Sequence, residues 1–239
     1  MQYEQKAFEA LTLWQKKMQR SPSLLNKLSK RTQEKLNSYI PEKVHKAVTV
    51  AIKQMIRGVL FGARLTTKKP VAVVSLQQTE EAVEKLAKYY RHTAVAEGGI
   101  TGAGGFLMGL ADFPLLLTIK LKMLFDVAAL YGFDVSDYKE RVYILYIFGL
   151  AFSSQEHRRK VYQQMVNWEA QKQALPEDMA QFDWRQLQQE YRDYIDLAKM
   201  AQLIPGIGAV VGIVANYSLM NQLTLTAMNA YRMRLFSVS

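Results

Sequence analysis

The sequence predicts an all-α protein: a single compact domain of about eight or nine helices with a glycine-rich helix pair at its centre. Three observations lead there. Apolar residues recur at helical spacing in nearly every segment, while strand-like sequence is confined to the short stretch VAVVS. Helix start and stop signals punctuate the chain throughout, at Ser21-Pro22, Pro41-Glu42, Pro114, Gly132, Asp183 and Pro205. The chain is also long enough to bury a full core, with 239 residues of which 49% are hydrophobic and 22% charged.

Each element has a local reason. Residues 2–20 form a first helix with Phe8, Leu11, Trp14 and Met18 on one side. Ser21-Pro22 opens a second that runs to about Ser38, because proline suits a first helical turn whose N–H has no partner anyway. Pro41-Glu42 opens a third helix reaching about Leu65. Residues 66–78 break the pattern, and their VAVVS is at most a short strand or an extended linker. A fourth helix spans Thr79 to about Ala94 and leads into a glycine-rich stretch. Pro114 opens an apolar helix that ends at Tyr131, with Gly132 placed as a left-handed C-cap. Residues 136–152 form the next around VYILYIFGLAF, residues 154–173 form a polar helix, and PEDMAQ is a connector. Asp183-Trp184-Arg185-Gln186 resembles a capping box and starts a helix to about Gln202. Pro205 opens the last, long helix. No repeat of fixed period is present.

The glycine-rich stretch, GGITGAGGFLMGLADFP from Gly98 to Pro114, is the most unusual in the chain. Gly98, Gly102, Gly105 and Gly109 share one helical face, and Asp112 continues it. Each glycine costs a helix about 1 kcal/mol relative to alanine, which close backbone approach to a neighbouring helix offsets. A second small-residue face, Gly208, Gly212 and Asn216, lies in Leu203–Met220, inside a run without Asp, Glu, Lys or Arg between Lys199 and Arg232. Eighteen mostly apolar residues reach the lower limit for a membrane span, but Gly, Ala and Asn216 make this stretch marginal. It reads first as a core helix packed on the Gly98–Gly109 face, with shallow insertion as the competing reading. If the two faces meet, Asp112 and Asn216 satisfy each other; otherwise Asp112 caps the helix that begins at Pro114.

Nucleotide chemistry does not fit these glycines. From Gly99 the phosphate-loop spacing reaches Gly104, but Gly105 and Phe106 stand where lysine and a hydroxyl residue are needed. A dinucleotide fingerprint from Gly102 fails at Leu107. Metal binding finds no spacing either: His45, His92 and His157 are far apart, and no metal site is expected. Cysteine is absent, which fits a reducing compartment and excludes thiol chemistry. Ser153, Ser154 and His157 are close in sequence but read as surface ahead of the basic EHRRK run. No catalytic residue and no cofactor are expected.

Charge is segregated along the chain. The net charge is +10, yet residues 1–91 hold 18 Lys and Arg against 7 Asp and Glu, and the remainder 13 against 14. Two parts follow: residues 1–70 as basic amphipathic N-terminal helices, and residues 71–239 as a helical core with Gly-rich segments 98–112 and 203–220. Within the first part, Lys46, Lys53, Arg57 and Arg64 form a stripe, with Lys43 one turn earlier, opposite Val44, Val48, Ala51, Ile52, Met55 and Val59. Such a helix suits an anionic bilayer surface, where each Lys or Arg contributes about 1 kcal/mol. A solvated bundle face explains the stripe equally well. Nucleic acid is disfavoured, since charge alone supports it and no groove-reading or base-stacking module is recognisable.

The segment AEGGITGAGGFLMGLADFPLLLTIKLKMLFDVAALYGFDV, Ala96 to Val135, resembles the central motif of the EcsC protein family. IPGIGAVVGIVANY, Ile204 to Tyr217, is similar to that family's C-terminal Pro-Gly-Asn motif, and SYIPEKVHKAV, Ser38 to Val48, suits its members in bacilli. The likeness covers most of the chain. It implies a bacterial protein associated with the Ecs ABC transporter, linked to secretion, proteolytic processing and competence, and brings no established catalytic residues. The expectation is a non-enzymatic accessory or regulatory protein, cytoplasmic and peripherally attached to the cell membrane. Its expected partners are the anionic membrane surface and Ecs transporter subunits, with self-association through the glycine faces left open. The alternative is a membrane-surface hydrolase or a lipid- or peptide-binding protein.

Overall fold

The computed structural model describes residues 2–20, 42–61, 69–72, 75–101, 105–195 and 209–237, with their side chains except at 43–45, 61, 94–101, 105–112, 155–156, 192–194 and 209–216. Among these residues the secondary structure is helical: α1 Gln2–Gln19, α2 Glu42–Phe61, α3 Leu76–Thr101, α4 Gly105–Leu130, α5 Tyr138–Phe152, α6 Gln155–Met165, α7 Trp168–Ala174, α8 Trp184–Tyr194 and α9 Ala209–Ser237. The all-α expectation holds. The helix expected over Ser21–Ser38 lies outside the described residues.

Helix α5 is the one the others surround. Every side chain from Tyr138 to Phe152 is buried except Tyr146, as expected of a segment apolar nearly all round. Helices α3, α4 and α9 pack on one another, α5 lies against α4 and α9, α2 covers α4, α5 and α8, and α1 lies on α9, α6 and α3. Helix α1 buries Ala7, Leu11, Trp14 and Met18, with the Trp14 ring edge-on to Tyr162 at 5.9 Å. Phe8 is half exposed and meets Phe236 of α9 edge to face at 5.5 Å. Helix α2 buries Val48, Ala51, Ile52, Met55, Ile56, Val59 and Leu60, the face its periodicity predicts.

Caps set several boundaries as expected. Asp183 accepts hydrogen bonds from the amides of Arg185 and Gln186 at 3.1 and 2.9 Å. Gly132 takes φ 84° at the end of α4, and the bonds Gly132 N to Ala129 O and Phe133 N to Ala128 O close the helix in a Schellman pattern. Residues 69–72 and 75 form no regular element, and the Val71 amide is tied to the Ala129 carbonyl at 2.9 Å.

Other boundaries differ. Helix α4 does not begin at Pro114: it starts at Gly105 and runs through the proline, so Asp112 is an interior helical residue and not an N-cap. A proline removes one backbone hydrogen bond, and Phe113, Leu116 and Leu117 around it are buried. Helix α3 starts at Leu76 because Ser75 caps it, its Oγ accepting from Gln78 N at 3.2 Å. The polar helix expected over 154–173 is two helices, broken at Asn167 with φ 61°. Asparagine tolerates that left-handed conformation, and the break brings the Trp168 ring to 5.0 Å from Tyr143. Helix α8 stops at Tyr194, where Ile195 bridges to Ser153. Ser153 is therefore fully buried, and Ser154 and His157 are half-buried, not surface residues.

One contact fixes α8 on α5. The Tyr191 hydroxyl donates to the Leu145 carbonyl and accepts from the Gly149 amide at 3.1 Å, bridging two backbone groups of α5. A Cβ at Gly149 would stand 3.4 Å from the Tyr191 ring, an ordinary van der Waals contact. Leu145 O and Gly149 N are i,i+4 partners within α5 and can satisfy each other, so we expect Tyr191→Phe to lower unfolding stability by about 0.5–1.5 kcal/mol, the net worth of a lost hydrogen bond, measured by urea denaturation.

Candidate functional site

The outward side of α2 is the first candidate surface. Lys46, Lys53 and Arg57 are exposed, with Val50, 53% exposed, on the same side between Lys46 and Arg57. Lys46 pairs with Glu42 one turn earlier at 2.8 Å. The Arg57 guanidinium lies 5.8 Å from the centre of the Trp184 ring of α8. The side chain of Lys43 and the whole of Arg64 lie outside the description. The surroundings of Gly98, Gly105, Gly109 and Gly212 and the side chains of Asp112 and Asn216, whose backbones are helical, also lie outside the described part, as do Gly102 and Gly208 entirely. The pairing of the two glycine faces, and of Asp112 with Asn216, falls on these positions.

A second set of charges is inside. Arg232 of α9 is bound through both nitrogens to Glu80 of α3, Nε to Oε1 and Nη2 to Oε2, each at 2.6 Å. Tyr3 of α1 donates to Glu80 Oε2 at 2.6 Å, and Tyr131 after α4 donates to Oε1 at 3.1 Å. Four segments therefore meet on one carboxylate that is 1% exposed. Burial and the Glu80 carboxylate push the Tyr3 phenol up to about 12. Two residues on, Arg234 donates to Glu140 of α5 at 2.6 Å and to Glu169 of α7 at 2.8 Å. Tyr231 donates to the other Glu140 oxygen at 3.1 Å. The Arg234 guanidinium also lies 3.7 Å from the centre of the Phe133 ring. Burial raises the Glu140 carboxyl despite the opposing pull of Arg234.

Two further buried charges lie on α4. Asp126 accepts from Tyr90 at 2.7 Å and is 3.7 Å from the Lys122 amine. Lys120 is fully buried, and burial lowers its amine to about 7. A cavity of about 10 Å³ beside Tyr191, bounded also by Tyr146, Val161, Gln164 and Glu190, is at the lower limit for one water molecule. Among the described residues no group of three His, Asp or Glu is placed to hold a metal ion, and no helix is long and apolar enough to cross a membrane.

The sequence reading missed the internal pairs. Arg232 closes the long uncharged run, and Arg234 follows two residues later. Positions i and i+2 point about 200° apart on a helix, so two arginines there on an apolar helix call for two partners on opposite sides. That signal was in the sequence; the identity of Glu80 and Glu140 was not.

A helical domain organised on a long C-terminal helix, with ion pairs inside and a basic helix outside, is the class of protein these features define. The chain belongs to the EcsC protein family, whose model matches residues 5–236. It is 44% identical over 223 residues to Protein EcsC of Bacillus subtilis (strain 168), covering 93% of this chain and 92% of that protein. It is 31% identical over 188 residues to the protein YdbA of the same organism, covering 76% of this chain and 68% of the relative. No solved structure matches the chain.

Breaking the deepest pair while leaving one charge behind is expected to destabilise strongly. Arg232→Met should cost about 3–5 kcal/mol, and adding Glu80→Met should restore much of the loss, because the double variant strands no charge; chemical denaturation of both variants checks this. Lys120 gives a pH dependence. Its folded-state pKa lies below the unfolded value, so the unfolded chain binds more protons between pH 7 and 10 and stability rises with pH there. We expect a gain of about 2 kcal/mol from pH 7 to 9, flattened in Lys120→Met, in urea melts at each pH.

Proposed function

We propose that the chain is a non-enzymatic accessory protein at the cytoplasmic face of the cell membrane, peripherally attached, serving an ABC transporter concerned with secretion, protein processing and competence. The observation that carries this reading is the outward side of α2, where Lys46, Lys53 and Arg57 are exposed around Val50 while the opposite side is core. A cationic side with an apolar residue among its charges suits a layer of anionic headgroups, the ammonium and guanidinium groups meeting phosphates and Val50 meeting the acyl boundary. The excess of 18 basic over 7 acidic residues in positions 1–91 adds long-range attraction to the same surface. We place this contact in residues 1–70 and treat residues 71–239 as the helical body. Transporter association is part of this proposal, and the EcsC name of the family and of the Bacillus subtilis relative is compatible with it. The transporter's subunits are the protein partners on this reading. The non-enzymatic assignment is supported by the use the fold makes of its buried carboxylates: Glu80 and Glu140 both have their oxygens engaged in joining helices.

The test is co-sedimentation with phosphatidylglycerol-containing vesicles. Lys46→Gln, Lys53→Gln and Arg57→Gln together should weaken partitioning by about 3 kcal/mol, roughly 150-fold. Binding of the unaltered protein should fall between 0.1 and 1 M salt as the screening length shortens from about 10 to 3 Å. Undiminished binding by the triple variant would overturn the role of α2.

A further inference from the structure

The three long helices α3, α4 and α9 share one end. Arg91 of α3 donates to Asn221 of α9 at 2.6 Å, while Glu80 meets Arg232, so α3 and α9 run antiparallel. Tyr90 of α3 reaches Asp126 of α4, while Glu80, farther back on α3, is reached by Tyr131 just past the end of α4, so α4 runs opposite to α3 and in the same direction as α9, which Thr224 joins to it at Met123. The C-terminal end of α3 and the N-terminal ends of α4 and α9 therefore point the same way.

The exposed side chains change in kind toward that end. On α3, Lys85, Lys88, Tyr89 and His92 are exposed along one stripe, with Tyr89 65% exposed. Next comes Arg91, 3.9 Å from Glu84 and 5.7 Å from the centre of the Tyr217 ring. Tyr217, 50% exposed, sits one turn closer to the end than Asn221, and Leu115 of α4, 51% exposed, is two turns closer than Met123. Beyond them come helical residues 94–101, 105–112 and 209–216, which hold Glu97 and Asp112 as their ionisable residues. Cations interleaved with exposed aromatic groups, with an apolar side chain farther on, suit a bilayer interface, where phosphates and amphipathic rings share the headgroup level above the acyl chains.

We propose that this end of the α3–α4–α9 bundle is a second lipid-contact surface, in which Lys85 and Lys88 meet anionic lipid phosphates while Tyr89, Tyr217 and Leu115 enter the headgroup–acyl boundary, with Arg91 tying α3 to α9 beneath them. The occupant is an anionic bilayer, since the ring combines cations with exposed aromatic groups. The insertion is shallow. Residues 94–101 of α3 extend about 12 Å beyond the ring, against roughly 30 Å for the hydrocarbon core. This site deepens the membrane reading but uses neither α2 nor the side chains assigned to it there.

The chain has no cysteine, so single cysteines carry a nitrobenzoxadiazole probe without background labelling. Tyr89→Cys, Tyr217→Cys and, for α2, Lys53→Cys would each be labelled and mixed with phosphatidylglycerol-containing or purely phosphatidylcholine vesicles, after thermal melting confirms the fold. The expected result is a blue shift and brightening at 89 and 217 on the anionic vesicles, with quenching by lipids spin-labelled near the headgroup. Lys85→Gln with Lys88→Gln should lower partitioning about 30-fold at about 1 kcal/mol per charge. A response at 89 and 217 with silence at 53 supports this site and overturns the α2 contact. A response at 53 alone overturns this site and leaves the α2 contact standing. Silence at all three overturns both, and equal response on neutral vesicles overturns the role given to the phosphates.

Discussion

The structure depends on one helix carrying two arginines on opposite sides. Arg232 and Arg234 are two residues apart on α9, so their side chains diverge by about 200°, one toward Glu80 of α3 and the other toward Glu140 of α5. Because Tyr3 and Tyr131 also bind Glu80, and Glu169 also binds Arg234, the last helix is joined to α1, α3, α5, α7 and the end of α4. Apolar packing is non-directional and would tolerate α9 sliding along its neighbours. Two bidentate or branched ion pairs facing opposite ways do not, since any slide or rotation breaks one of them and strands a buried charge.

Buried charges are concentrated in this region. Lys139, Glu140 and Arg141 open α5 and are all buried. Lys139 reaches Glu177 at 2.6 Å, Tyr138 donates to the Pro176 carbonyl, and Arg141 binds the Ser136 carbonyl at 2.8 Å. The connector between α7 and α8 is thus held over the start of α5 by polar contacts. Burial at Glu140 raises its carboxyl pKa, and burial at Lys120 lowers the amine. Both shifts express the cost of removing charge from water. The interior holds its charges for geometry.

Surface charges work differently. Those of α2 and of the α3 stripe are exposed, and one pair among them, Lys46–Glu42, is of the i,i+4 kind that contributes little to folding. Lys53, Arg57, Lys85 and Lys88 are cations on a solvated face, where they are open to an anionic layer outside the molecule. This separation of paired internal charge from exposed external charge links the fold to the membrane-surface role proposed for it.

Much was legible locally. Apolar periodicity gave the buried side of α2 and, apart from Phe8, which is half exposed where Ala7 is buried, that of α1, the sequence around Asp183 its cap and Gly132 its left-handed turn, because these depend on residues a few positions apart. The helix through Pro114 was not legible, since a local signal for a helix start is overridden by the burial of Phe113, Leu116 and Leu117. Nor was the break at Asn167, which the packing of Trp168 on Tyr143 rewards. The exposure of Lys46, Lys53 and Arg57 on α2 was readable from spacing, whereas the partners of Arg232 and Arg234 were not: Glu80 and Glu140 lie 152 and 94 positions away. Sequence by itself determined the all-α class, most of the buried side of α1 and α2 and the outward cations of α2, because each is a matter of spacing along one helix. Only the tertiary structure decided which carboxylate meets which arginine and that three helix ends converge, because those depend on the directions in which distant helices pack.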